Sequence, residues 1–200
     1  MKKKLYTILS LLLIITVFST TTVLAGTGWK VTTTLNSLKV DGSVTGLGSG
    51  TYTATEDAQG YALVTCTNLG GNAAPGQNYP HASGTDKQTL PYNGSPTTHN
   101  GKSPVNLEAV SDFETQPILL DPVNVGGCPN YNWTAKVYFI VWQSVTLSLL
   151  DSTGVIVPGS QIIYCLKTTY IPNYTPGDGS TFNDGTVKIT GTTTDAKNCQ

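Results

Sequence analysis

From Trp29 onward apolar and polar residues tend to alternate one by one, and no stretch carries the 3.6-residue period of an amphipathic helix. A period of two puts successive side chains on opposite faces of a strand. Trp29-Lys30-Val31-Thr32-Thr33-Thr34-Leu35 shows it first. Leu38-Lys39-Val40 and Ser43-Val44-Thr45 flank Asp41-Gly42, a dipeptide suited to a tight turn, which predicts a hairpin of two short strands. Tyr52–Thr55 and Tyr61–Thr67 read as two more strands. In the second, Ala62, Val64 and Cys66 share the face opposite Tyr61, Leu63 and Thr65, sending the Cys66 thiol inward. Val137-Tyr138-Phe139-Ile140-Val141-Trp142 is apolar on both faces, as a strand buried between layers would be. After Gln143-Ser144 the run Val145–Leu149 alternates again, so 134–150 is either one bent strand or two strands meeting at a corner. Ser152-Thr153-Gly154 predicts a turn, followed by strands over Gln161–Tyr170 and Thr186–Thr193. Trp29 and Trp142 are assigned to the core.

Threonine, valine and tyrosine are abundant in these segments, and Gly, Pro and Asn separate them. The expected fold is all-β: a single β-sandwich, Ig-like or jelly-roll-like, pinned by disulfides, with a closed barrel as the second choice. One region breaks the rhythm. From Asn68 to Ser103 the sequence is rich in Gly, Pro and Asn, and 68–103 is expected to be a long irregular stretch, subdivided at most by a short strand near Thr89-Leu90. Structureless connections of that length are uncommon in compact domains and are either functional or disordered. Loops on a rigid scaffold carry much of binding, so candidate residues are sought there first.

The leader differs from the rest. Met1-Lys2-Lys3-Lys4, an apolar run from Leu5 to Phe18 and the small-residue site Val23-Leu24-Ala25 have the form of a secretory signal peptide, 1–25, cut after Ala25. The apolar run is shorter than the roughly 20 residues of a membrane-spanning helix. Residues 26–200 then form one secreted or extracytoplasmic domain with no membrane span in the mature chain. Removal of 1–25 takes three of the eleven lysines and no acid, leaving eight lysines against twelve acids, a net charge of −4. There is no arginine, and the lysines are scattered. Nucleic-acid binding needs clustered cations to displace phosphate counterions, so no nucleic-acid partner is expected.

Cys66, Cys128, Cys165 and Cys199 in an exported chain predict disulfides. Four cysteines allow three connectivities, all open at the level of sequence. No C-x-x-C pair is present and the histidines lie elsewhere, so no metal is assigned. Cys199 stands next to the last residue and suits the tying-down of a terminus.

The chemistry-bearing residues are few. His81 and His99 both fall in the irregular stretch, without a G-x-S-x-G elbow or a metal-ligand spacing. No catalytic residue and no cofactor is assigned. Glycoside hydrolysis needs two facing carboxylates; Glu108, Asp112 and Glu114 cluster after Val105, but nothing in the sequence places them opposite one another, and a solvated strand face is the simpler account. Tyr79, Tyr92, Tyr131 and Trp133 fall at loops or strand ends, where rings stack on sugars or simply pack at a rim. Together with His81 and His99 they form the candidate binding set.

The segments Cys66-Thr67-Asn68-Leu69-Gly70-Gly71-Asn72-Ala73-Ala74-Pro75-Gly76-Gln77-Asn78 and Gly127-Cys128-Pro129-Asn130-Tyr131-Asn132-Trp133-Thr134 resemble a group of secreted bacterial β-rich proteins. These share a CTNxGGNxxPGQN segment and a later CPNxNWT segment, and the resemblance spans about Val44 to Leu150. No activity comes with it. It implies that the two segments belong together, with Cys66 joined to Cys128. The function expected is non-enzymatic: binding, adhesion or a surface-structural role, with a glycan or a cell-surface protein as partner. The alternative is a secreted glycan-acting hydrolase using carboxylates in 108–114.

Overall fold

The computed structural model describes residues 26–34, 36–47, 50–90, 102–113, 120–172, 185–193 and 199. These form nine strands and no helix: β1 (Gly26–Thr33), β2 (Ser37–Thr45), β3 (Tyr52–Asn68), β4 (Ala73–Pro75), β5 (His81–Leu90), β6 (Lys102–Ser111), β7 (Trp133–Leu150), β8 (Ile162–Pro172) and β9 (Gly185–Thr193). All pairings are antiparallel, in the order β1-β2-β6-β5-β3-β7-β8-β9, with β4 on β3. The result is one curled antiparallel sheet, whose end strands β1 and β9 come near each other.

Two expected strands are one. β3 runs unbroken for 17 residues and pairs along its whole length with the 18-residue β7, from Thr53 opposite Leu150 to Asn68 opposite Trp133. The span 134–150 is thus a single strand, bent by two irregularities in its register. On the inner face small residues of β3 stand opposite large ones of β7: Ala54 to Leu149, Ala58 to Val145, Gly60 to Trp142, Ala62 to Ile140. That complementarity lets the bulky β7 side chains fill the core without overpacking. Trp142 is fully buried, and Trp29 packs against the same core, both as expected. Leu38 and Val40 of β2 and Val105 and Leu107 of β6 join this core, so the apolar faces of β2–β6 and β3–β7 meet.

The predicted hairpin at Asp41-Gly42 is not formed. β2 passes straight through it, with Asp41 paired to both Lys30 and Asn106. Gly42 lies under the Trp29 ring, where a Cβ would collide with the indole, so this glycine serves close packing rather than a turn. β1 and β2 pair instead up to their Thr33–Leu38 end, next to which the Ser37 carbonyl accepts from the Thr34 amide at 2.9 Å.

The stretch 68–103 is also not irregular throughout, since β5 occupies ten residues of it. Its inward-facing positions are Ala82, Gly84, Asp86, Gln88 and Leu90, small or polar except the last. Hydropathy therefore does not alternate although the strand does. The polar pair has a task. β5 and β6 are joined by only two residue pairs, Gly84 to Ser111 and Thr85 to Val110. Beyond them side chains replace the ladder: Asp86 Oδ2 accepts from the Glu108 amide at 2.8 Å, and Gln88 Oε1 accepts from the Asn106 amide at 2.7 Å. The backbone of β6 keeps its partners while the sheet opens.

Beside this seam Glu56 is 1% exposed, and neither carboxylate oxygen has a well-formed hydrogen bond. Burial, reinforced by the charges of Asp86 and Glu108 and only partly offset by the Ala109 amide, pushes its carboxyl up to about 8. Disulfides join Cys66 to Cys128 and Cys165 to Cys199. The first pairing is the one implied by the resemblance. Both bridges fit an oxidising compartment. No helix among the described residues is long and apolar enough to cross a membrane.

Two outcomes are expected. The unfolded chain releases the Glu56 proton near 4.5 and the folded chain holds it to about 8, so the folded state binds more protons between these values and its stability falls as pH rises through that window. Glu56→Gln should remove this contribution, so its stability advantage over wild type grows from pH 4.5 to 8, by at most about 1.4 kcal/mol per unit; urea melts at three pH values measure it, and parallel curves would contradict it. Replacing Cys66 and Cys128 together by Ala should cost about 2–5 kcal/mol, read as a lower denaturant midpoint.

Candidate functional site

The two irregularities in β7 are where the outer face acquires a site. Leu63 pairs with Phe139 and Val64 with Val137, leaving Tyr138 as an extra residue; Gln59 pairs with Ser144 and Gly60 with Trp142, leaving Gln143 extra. A β-bulge kinks a strand and re-aims the residue it releases. Both Tyr138 and Gln143 line one cavity of about 640 Å³, together with Tyr61 and Leu63 of β3, Val141 between the bulges and Thr168 of β8. Thr168 is held there by its hydroxyl, which donates to the Trp142 carbonyl at 3.1 Å. The volume is within the range of small-molecule sites.

The opposite wall comes from the chain between β4 and β5. Pro75, Gly76, Tyr79 and His81 all line the cavity. Tyr79 stands edge-on to Tyr61, with ring centroids 5.5 Å apart and planes at 77°, and is still 65% exposed. Burial, then the neighbouring Tyr79, holds the Tyr61 hydroxyl above its ordinary range, so it stays a neutral donor at physiological pH.

This wall is fixed by a clamp. The Cys66–Cys128 bridge ties β3 to the segment before β7. The Gly76 amide donates to the Val64 carbonyl at 2.7 Å, the Gln77 amide to the Gly127 carbonyl at 3.2 Å, and Asn78 Nδ2 to the Asn124 carbonyl at 2.9 Å. Gly127 has φ +65°, and a Cβ on it would strike the Gln77 and Asn78 amides; one on Gly76 would strike the Gly126 carbonyl. Only glycine allows the two backbones to approach this closely. Beneath lies a small second core of Val64, Cys66, Leu120, Cys128 and Ala135.

A second, more open cavity, of about 620 Å³, shares Tyr79 with the first and is lined by Gln77, Asn78, Tyr79, Pro80, Asn124 and Val125. Neither cavity is lined by an Asp, Glu, Lys or Arg. The surrounding sequence agrees: 66–80 contains no such residue, and 120–135 only Asp121. That carboxylate is spent on its own turn, accepting from the Val123 and Asn124 amides and from Asn124 Nδ2. Those bonds to Asn124 and Val123 hold it below the usual carboxylate range.

Of the sequence-derived candidates, Tyr79 and His81 stand together in the first cavity. Tyr131 is 66% exposed nearby, its hydroxyl accepting from Asn124 Nδ2 at 3.1 Å. Trp133 is half-buried and packs on the small second core. Tyr92 and His99 lie outside the described residues, as does Glu114. Glu108 and Asp112 line neither cavity: Glu108 Oε1 accepts from the Ser37 hydroxyl at 2.8 Å, and Asp112 accepts from the amide and hydroxyl of Ser83. Tyr61, Tyr138, Gln143 and Thr168 stand in strand segments, where the sequence carries no mark of a site. The one hint is Gln143, which with Ser144 interrupts an apolar run and fits either a bent strand or a corner.

Among the described residues no group of three or more His, Cys, Asp or Glu is placed to hold a metal ion. The arrangement offers aromatic faces, hydroxyls and carboxamides without formal charge. Comparison with known proteins finds no matching family model, no matching curated protein and no matching solved structure.

Proposed function

We propose that the chain is exported, loses residues 1–25 and works as a non-enzymatic recognition module for an uncharged glycan. In this reading the curled sheet is a β-sandwich, folded over at the β5–β6 seam where side chains replace the ladder. The partner is met in the groove around Tyr79. The observation that carries the reading is the pair of bulges. They release Tyr138 and Gln143 from the β3–β7 ladder at the same groove that Tyr61, Tyr79 and His81 line.

The chemistry of the lining selects the ligand class. Sugars present apolar C–H faces to rings and hydroxyls to carboxamides, and need no counter-charge. A groove of tyrosines with Gln143, Thr168 and His81 meets both demands. A phosphate or a sulfated chain would leave its charges without a cation here, which is costly in a partly desolvated site. Hydrolysis of a glycosidic bond uses an acid and a second carboxylate across the scissile bond, and the residues lining the groove include neither. The clamp holds the Tyr79 wall before ligand arrives, which lowers the ordering cost of binding.

A glycan array with the processed protein should show binding to neutral oligosaccharides and little to sulfated or phosphorylated ones. Affinity should be nearly unchanged between 50 and 500 mM NaCl, since no ion pair is made. Tyr79→Ala should weaken binding by about tenfold or more, the loss of one stacked ring. A blank array, or binding that collapses with salt, would overturn the reading. Release of shortened products, abolished by Glu108→Ala, would favour the hydrolase instead.

A further inference from the structure

The geometry points to a ligand that is a chain rather than a single sugar, laid across two subsites with the Tyr79 ring between them; this rests on the glycan reading above. Tyr79 lines both cavities, one of about 640 Å³ over the bulged strand and one of about 620 Å³ over the loop that precedes β7. It is the residue the two have in common, and it is 65% exposed although its edge-on contact with Tyr61 fixes its position. A ring in that place is not a wall that ends a pocket. It is a raised platform from which a ligand continues to either side.

The two sides differ in chemistry, and each suits a sugar unit. Over β7 the groove is aromatic, with Tyr61 and Tyr138 beside Gln143. Over the loop it is amide-rich, with Gln77, Asn78 and Asn124 around Val125. The amides are held in order: Asn78 Nδ2 donates to the Asn124 carbonyl, and Asn124 Nδ2 donates to Asp121 and to the Tyr131 hydroxyl. The pattern repeats in small what rigid paratopes use, tyrosines for area and carboxamides for direction. The same hydrogen bonds and the Cys66–Cys128 bridge hold both halves as one rigid body, so a second unit adds contacts without a new ordering cost in the protein. Neither half carries charge, so a chain of identical neutral units meets no electrostatic break along the groove.

The experiment is calorimetric titration of the processed, disulfide-intact protein with neutral oligosaccharides of one to six units from the gluco-, manno-, galacto- and N-acetylglucosamine series. The affinity for the recognised series should rise by about tenfold between the shortest member that binds and the one two units longer, then level off. Gln77→Ala, confirmed folded by circular dichroism, should lose most of that gain. Equal affinity for short and long members overturns the two-subsite inference while leaving the recognition reading in place. Failure of every series to bind overturns both, and a gain with length that Gln77→Ala leaves untouched places the second subsite elsewhere and overturns this assignment.

Discussion

The ladder between β3 and β7 is the interaction on which the remainder of the molecule hangs. It runs through sixteen residue pairs, from Thr53–Leu150 to Asn68–Trp133. Its inner face supplies Ala58, Ala62, Ile140, Trp142 and Val145 to the main core, and its outer face supplies the floor of the groove. Every other strand is arranged around it: β5, β4 and β8 pair directly with one of its members, β6, β2 and β1 follow from β5, and β9 follows from β8. A ladder this long twists along its length, and each bulge on β7 adds a local bend and further twist. The same bulges bring Tyr138 and Gln143 to the groove, so the irregular register and the site are one structural feature.

The open end of that ladder is secured differently from its middle. There the strands have left the main core, and a small cluster around Cys66 and Cys128 would bury little apolar surface by itself. The disulfide and three hydrogen bonds from Gly76, Gln77 and Asn78 supply what the cluster lacks. The glycines at 76 and 127 are a condition of this closeness, because side chains there would push the two segments apart. The two cavities at this end are lined by no Asp, Glu, Lys or Arg, and this is the ground for the recognition by shape, ring contact and hydrogen bonding proposed above.

Carboxylates gather at the seam, where Asp86 and Glu108 stand near Glu56. Asp86 and Gln88 turn inward to satisfy the β6 backbone, and Glu56 is buried beside them. Polar groups in these positions cost hydration. Asp86 and Gln88 recover it through backbone amides, whereas Glu56 recovers little and retains its proton instead. The seam is where side chains take over from the short β5–β6 ladder, and this polar lining sets it apart from the longer ladders on either side.

The alternation of side chains along the chain, taken alone, determined that the protein is all-β, placed β1, β7, β8 and β9 within a few residues, and put Trp142 and Cys66 inside, because burial of one strand face leaves a period-two mark on hydropathy. That mark fails where inward positions are small or polar, and so β5 is legible only at its Thr89-Leu90 end and Asp41-Gly42 has the look of a turn. Tyr79 and His81 were legible as candidates because they stand among turn residues outside the rhythm. The rest of the groove was decided only in three dimensions. A bulge is a property of the register between two strands 70 or more residues apart, as Leu63 and Phe139 are, and no local pattern in either strand records it. Tyr138 reads as core in the sequence because its neighbours are core; it lines the groove at the point where the β3–β7 register carries it as an extra residue.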